Sequence, residues 1–131
     1  MADRTDVILV DAFDDVGVAP SLADGCFYEN AHRCLSANGI FVMNIAGDKA
    51  SYAAHIDKIC HTFGDQVIAM TVKDDGNFIV FAFKNPQFAP RWKWLKSIAL
   101  DMRRRFGLDF HHVAQQLERG QRLHLARRMA V

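Results

Sequence analysis

The sequence predicts an α/β fold in which a parallel sheet ends in an antiparallel hairpin, and three observations carry that expectation. Val7–Val10 ("VILV") is an aliphatic run with no polar alternation, the pattern of a parallel strand covered on both faces. The run and a second strand, "IFVMNIAG" (Ile40–Gly47), alternate with helical stripes, and that rhythm implies right-handed crossovers. The rhythm then breaks: "VIAMTV" (Val67–Val72) and "FIVFAFK" (Phe78–Lys84) are separated by only five residues. That is too few for a crossover but suits a hairpin with Asp75-Gly76 in its turn.

Taken in order, Val7–Val10 should be a central strand, followed by an acidic loop with Asp11, Asp14 and Asp15. After Pro20, the stretch Ser21 to Leu35 sets Leu22, Phe27, Ala31, Cys34 and Leu35 on one helical stripe, with Ser21 as the N-cap and Asn38-Gly39 as the stop. Tyr52, Ile56, Ile59, Cys60 and Phe63 give a second helix its stripe, and Gly64 ends it. Beyond Asn85-Pro86 the strands stop. Trp92, Leu95, Ala99, Met102 and Phe106 mark a helix from about Pro90 to Arg105, closed by Gly107. Asp109 can cap a further helix to about Glu118, and the tail from Gly120 to Val131 is either a last helix or frayed. Of the two tryptophans in the first of these helices, one is expected in the core and the other at the surface.

With 131 residues, 50% of them hydrophobic, the chain is expected to form one domain with a substantial core. It contains no run of the roughly 18 apolar residues that a membrane span requires, and its first residues lack a signal peptide's layout, so a cytoplasmic location is expected. Cys26, Cys34 and Cys60 are odd in number and lack metal-type spacing, which reads as buried, reduced thiols. The net charge of +1 conceals a split: residues 1–85 carry 6 Lys and Arg against 12 Asp and Glu, whereas residues 86–131 carry 10 against 3. Such a split can mark a nucleic-acid surface, but no binding module accompanies it, and a solvated basic face is the expected reading.

Ligands of open parallel sheets collect outside the carboxyl ends of the strands. Asp11, Asp14 and Asp15 follow the first strand at that end, and Asn44 leaves the second at the same edge. Adjacent strands lie about 4.8 Å apart, so Asn44 and Asp11 could line one pocket. Carboxylates there suit a small cationic ligand such as an ammonium, and one of them could take its proton. Asp residues after strands also serve simply to cap backbone N–H groups, and spacing alone leaves both readings open. The remaining polar residues offer less. His111-His112 sit side by side on a helix and point in different directions, and Ser21 and Ser51 lack a nucleophile elbow.

The stretches "DVILVDAFDDVGVAPSL", "FYENAHRCLSANGIFVMNIAG" and "FIVFAFKNP" resemble the spermidine synthase family, in particular its bacterial spermidine synthase-like branch, over roughly residues 5–90. The resemblance is to the C-terminal half of that family's catalytic domain. It implies a Rossmann-like sheet of the S-adenosylmethionine-dependent methyltransferase type, here a truncated domain over residues 1–131 with its sheet in 1–85 and a basic helical segment in 86–131.

Family members transfer an aminopropyl group from decarboxylated S-adenosylmethionine to putrescine. The resemblance therefore implies that Asp11 orients and deprotonates the attacking amine, that Asp14 helps bind the diamine, and that Ala19 and Pro20 lie near the nucleoside. Asp15 and Asn44 complete the implied substrate-binding set. They stand where the true synthases carry proline and glutamine, and Lys73 replaces an expected tyrosine. The family's Gly-rich nucleoside loop has no counterpart among these residues, which leaves three expectations open: an aminopropyltransferase-like enzyme, a non-catalytic binding or interaction module, and a methyltransferase. With nothing to pair the outer side of Val7–Val10, a dimer or larger assembly covering that strand is also expected.

Overall fold

The computed structural model describes residues 4–14, 17–18, 20–22, 24–46, 49–72 and 76–129. They form two compact units, Met1–Phe88 and Ala89–Val131. The first unit contains strand β1 (Thr5–Val10), the short strands β2 (Phe13–Asp14) and β3 (Gly17–Val18), a 3-10 turn (Pro20–Leu22), helix α1 (Gly25–Cys34), strand β4 (Leu35–Ile45), helix α2 (Lys49–Phe63), and strands β5 (Val67–Thr71) and β6 (Phe78–Phe83). The second is a pair of helices, α3 (Trp92–Phe106) and α4 (Phe110–Met129).

The main sheet has the order β1-β4-β6-β5. β1 runs parallel to β4, with Val7 opposite Ile40 and Val10 opposite Met43, while β6 is antiparallel to both β4 and β5. β5 therefore points the same way as β1 and β4. The expected hairpin is present, and its second strand, not its first, abuts β4; the crossover through α2 leaves a gap that β6 turns back to fill. Asp75 of the expected turn lies outside the described residues, and Gly76 beside it has a φ of 68°, the left-handed region that a glycine enters freely. Val7–Val10 lies at the sheet's edge and not in its middle.

Period-two burial organises the core. Along β4, Phe41, Met43 and Ile45 are fully buried against α1 and α2, together with Val80 and Ala82 of β6 and Val67 of β5. α1 contributes Tyr28 and Ala31, and α2 contributes Ile59 and Phe63. Ile8 and Val10 pack on the same side, whereas Val7 and Leu9, pointing the other way, are 50% and 75% exposed.

Several local expectations are corrected. The N-cap of α1 is Asp24, whose side chain accepts from the Cys26 N–H at 3.0 Å, and Ser21 lies in the 3-10 turn before it. The helix ends at Cys34, because Leu35 is already extended and begins an irregular stretch of β4. All three cysteines are free thiols, but Cys26 and Cys34 face solvent and only half-buried Cys60 packs against the core, so the burial expected fails for the two on α1, whose buried stripe passes through Tyr28 and Ala31 instead.

Gly39 ends the irregular stretch, and here a missing side chain matters. A Cβ on Gly39 would sit 2.8 Å from the Leu35 Cβ and 3.0 Å from the Ser36 carbonyl oxygen, and Leu35 is fully buried and has no room to retreat. Gly39→Ala is accordingly expected to destabilise the protein by about 1–3 kcal/mol, the usual range for overpacking. Urea unfolding of the two proteins tests this, and equal midpoints would contradict it.

In the second unit the helices form an antiparallel hairpin whose contacts run in reverse order. Trp92 Nε1 donates to Gln121 Oε1 at 2.8 Å, Lys96 pairs with Glu118, and Phe106 meets Phe110 edge to face. Gly107, with a φ of 71°, closes α3, and Asp109 caps α4 by accepting from the His112 N–H at 3.1 Å. α4 continues through Gly120 to Met129, past the expected end near Glu118. Trp92 is half-buried, and Trp94 is exposed beneath the Arg91 guanidinium. No helix among the described residues is long and apolar enough to cross a membrane.

Candidate functional site at the carboxyl ends of β1 and β4

The parallel register brings two predicted residues together. Because Val10 stands opposite Met43, the next position on each chain sets Asp11 opposite Asn44. Asn44 Nδ2 donates to Asp11 Oδ1 at 3.1 Å. Alternation along β4 turns Asn44 away from buried Met43 and Ile45, toward the face that carries Val42. Asp11 is exposed and Asn44 half-buried, so the pair sits at the rim of the sheet where ligands of such folds collect.

The orientation of the amide follows from charge. A carboxylate only accepts hydrogen bonds, so Asn44 must turn its NH2 toward Asp11 and its carbonyl oxygen away. That oxygen is buried and has no hydrogen-bond partner among the described residues. Asp11 keeps its second oxygen beyond the bond to Asn44. Together the pair presents acceptors and a negative charge, a set that favours N–H donors on a cation and disfavours anions.

Immediately after Asp11 the chain folds into a small hairpin in which Asp14 pairs with Gly17 and Phe13 with Val18. Within the expected acidic loop, Phe13–Asp14 and Gly17–Val18 are thus short paired strands, ahead of exposed Pro20 and the 3-10 turn before α1. Asp15, Ala19 and Lys73 lie outside the described residues. An open cavity lined by Glu29, His32, Arg33, His61 and Thr62 belongs to the last turns of α1 and α2. Those turns lie at the sheet's other end, since α1 leads into β4 and α2 leads out of it.

One polar pair escaped the sequence reading. The Tyr28 hydroxyl meets His55 Nδ1 at 2.7 Å within the core, with Met43 Sδ at 3.7 Å from the same oxygen. Burial pushes the Tyr28 pKa up to about 12, and burial, followed by the Lys58 charge, lowers that of His55. Both groups are therefore neutral near pH 7. The signal was faint: the i, i+3 spacing of Tyr28 and Ala31 marks the buried side of α1, but nothing in sequence links Tyr28 to a histidine 27 positions away.

The pair ties stability to pH, and the sign follows from the lowered pKa. Above the free histidine value of about 6.5 both folded and unfolded states are neutral; below it the unfolded state takes up a proton that buried His55 resists. Stability is expected to fall from pH 6.5 downward, by at most about 1.4 kcal/mol per pH unit for this group. His32, lowered by burial and then by Lys84, adds to the slope in the same direction. Denaturant midpoints between pH 7.5 and 5 measure it, and a His55→Gln protein with an undiminished acid slope would exclude this assignment.

Comparison with known proteins defines the class. The chain superposes on human methyltransferase-like protein 13, solved in complex with S-adenosylhomocysteine, with a TM-score of 0.60 at 18% identity, covering 92% of this chain and 50% of that one. The fold is thus the Rossmann-like α/β fold of S-adenosylmethionine-dependent methyltransferases. No family model matches the sequence. Among curated proteins, the polyamine aminopropyltransferase of Chromobacterium violaceum is 35% identical over 115 residues, which span 87% of this chain and 44% of that protein. The polyamine aminopropyltransferases of two Neisseria meningitidis serogroups are 34% identical over 116 residues, 88% of this chain and 44% of theirs. The chain belongs to the polyamine aminopropyltransferase family, is spermidine synthase-like, and spans less than half the length of these relatives.

Proposed function

We propose that this chain carries the amine-handling side of aminopropyl transfer from decarboxylated S-adenosylmethionine to a diamine, with Asp11 as the residue that binds and deprotonates the acceptor. The observation that carries the reading is the Asp11–Asn44 pair, an acceptor set at the carboxyl ends of adjacent parallel strands. In the step envisaged, an acceptor ammonium docks on Asp11 and passes it a proton. The freed nitrogen lone pair then attacks the aminopropyl carbon attached to the sulfonium sulfur. A C–N bond forms, the C–S electron pair stays on sulfur, and methylthioadenosine leaves. Desolvation must assist the proton transfer, because a free aspartate titrates near 3.9 and an alkylamine near 10. Asp14, Asp15, Ala19 and Pro20 belong to the reading by family resemblance, the first two toward the diamine and the last two toward the nucleoside. The S-adenosylhomocysteine bound by the human structural neighbour supports an adenosyl-sulfur ligand of this kind.

A second reading, a non-catalytic amine-binding module, is favoured by the lack of any G-x-G-x-x-G loop in these 131 residues. Calorimetric titration separates the two. Binding of both putrescine and methylthioadenosine supports the transferase. Putrescine alone supports the module, and neither ligand at millimolar concentration would contradict both.

The proposal includes a partner strand along β1. Its outer edge offers backbone N–H and C=O groups with no neighbour among the described strands, and Leu9 beside it is three-quarters exposed. Light scattering at micromolar concentration is expected to give at least twice the 14.8 kDa of one chain, and a monomer mass would contradict a second copy there.

A further inference from the structure

We infer that one side of the α3–α4 hairpin is a docking surface for duplex nucleic acid, held through its phosphates and not through its bases. The inference is independent of the amine site and starts from charge: residues 86–131 carry 10 Lys and Arg against 3 Asp and Glu. The sequence leaves the placement of those charges open, and the two helices gather a group of them on one side.

Lys93, Lys96, Leu100, Arg103 and Arg104 follow one another at i, i+3, i+7, i+10 and i+11, a single stripe of α3. The stripe continues across the hairpin. Lys96 pairs with Glu118 of α4, and Glu118 also lies 3.8 Å from Arg122, so Lys96 and Arg122 flank one carboxylate on the same side. The apolar residues Leu95, Ile98 and Met102 fall on a different stripe of α3.

Few acids answer these cations. Glu118 is shared by two of them, and Asp109 stands 3.9 Å from Arg103 with both side chains more than half exposed, where an ion pair contributes little. Lys93 and Arg104 are exposed and have no acidic partner among the described residues. Lys93 also stands in the first turn of α3, the end at which the helix dipole disfavours a cation, and that turn contains no acid. Its charge therefore does not serve the helix, and an anion from outside is the partner that uses it.

The layout of the side selects among anionic partners. Lys93 and Arg104 lie eleven residues apart, about 16 Å along the helix axis. A duplex presents one charge about every 1.7 Å of its axis, so roughly ten phosphates fall within that reach. Docking on a bilayer surface requires apolar side chains that insert beside the cations, and Leu100 is alone in that respect on this stripe. A single strand requires exposed rings on which its bases stack. Trp94 and Phe106 lie off the stripe, each beneath an arginine, so the basic side itself offers phosphate contacts only.

Fluorescence anisotropy of a short labelled DNA duplex, titrated with the full chain, tests the inference. With about four phosphates neutralised, affinity is expected to fall about 100-fold between 50 and 200 mM salt and to be the same, within a few-fold, for two unrelated sequences. Lys93→Gln and Arg104→Gln should each weaken binding about 8-fold near 100 mM salt and flatten the salt dependence, whereas Lys49→Gln, an exposed lysine of the first unit, should change neither. Urea unfolding checks that these surface variants are folded. No binding at 50 mM salt overturns the inference, as does an affinity that survives replacement of Lys93 and Arg104 together. A preference of more than about 10-fold between the two sequences overturns recognition through the phosphates alone. Binding to phosphatidylglycerol vesicles without binding to the duplex overturns the inference in favour of a lipid surface.

Discussion

Asp11→Asn is expected to weaken diamine binding by roughly 30- to 100-fold while leaving the fold intact. The substitution keeps size and shape and removes the charge. A hydrogen bond to a charged group contributes about 1.5–3 kcal/mol, and each 1.4 kcal/mol is a factor of ten in affinity. A second effect acts in the same direction. Asn44 Nδ2 now donates to Asp11 Oδ1 at 3.1 Å, and an amide at position 11 satisfies that donor only by turning its own oxygen toward Asn44, which aims its NH2 at the incoming ammonium. The acceptor becomes a donor facing a donor. Because Asp11 is exposed, unfolding free energy should change by no more than about 0.5 kcal/mol. Calorimetry for binding and urea unfolding for stability separate the two effects, and an Asp11→Asn protein that binds putrescine as tightly as wild type would refute the amine assignment.

That site was legible in the sequence because parallel strands carry simple geometry. An aliphatic run ending in Asp11 and a second ending beside Asn44, joined by one helix, leave little choice about which ends meet. The register that pairs Val10 with Met43 then fixes the contact. Strand order was less legible. The residues of a hairpin say that β5 and β6 pair, but both strands are apolar enough to lie inside, and only packing decides that β6 abuts β4.

Helix ends were misjudged where capping residues compete. Ser21 and Asp24 are both good N-caps three positions apart, and the 3-10 turn at Pro20–Leu22 takes the first and leaves the second to start α1. The sequence leaves the tail from Gly120 open between a last helix and a frayed end, since a glycine costs a helix about 1 kcal/mol. The contact of Gln121 with Trp92 one residue later holds α4 in place across it. The Tyr28–His55 bond was invisible for a different reason: it joins two helices through side chains whose burial, not their spacing, makes the contact.

Phe41→Ala is expected to have the largest effect on stability, a loss of about 3–5 kcal/mol. Phe41 is fully buried at the centre of β4, with its ring 6.0 Å from that of Tyr28, 6.3 Å from Phe27 and 5.6 Å from Phe63. It therefore links both helices to the sheet, and its removal leaves a cavity that neither can close without losing its seat. Against a typical total of about 5–15 kcal/mol, this is a large share of the stability, and the melting point should be lower by upwards of about 12 °C. The exposed ring of Phe106 provides a control: Phe106→Ala should cost less than about 1 kcal/mol, although the residue type is the same. Function should follow stability here in a way that it does not for Asp11. Asn44 lies three residues along the same strand, so loosening β4 shifts the amide that holds Asp11. The Phe41→Ala protein should lose diamine binding at the lower temperature at which it now unfolds, whereas Asp11→Asn loses binding with its melting point unchanged. A Phe41→Ala protein that melts within a few degrees of wild type would show that the ring cluster does not join the helices to the sheet as described.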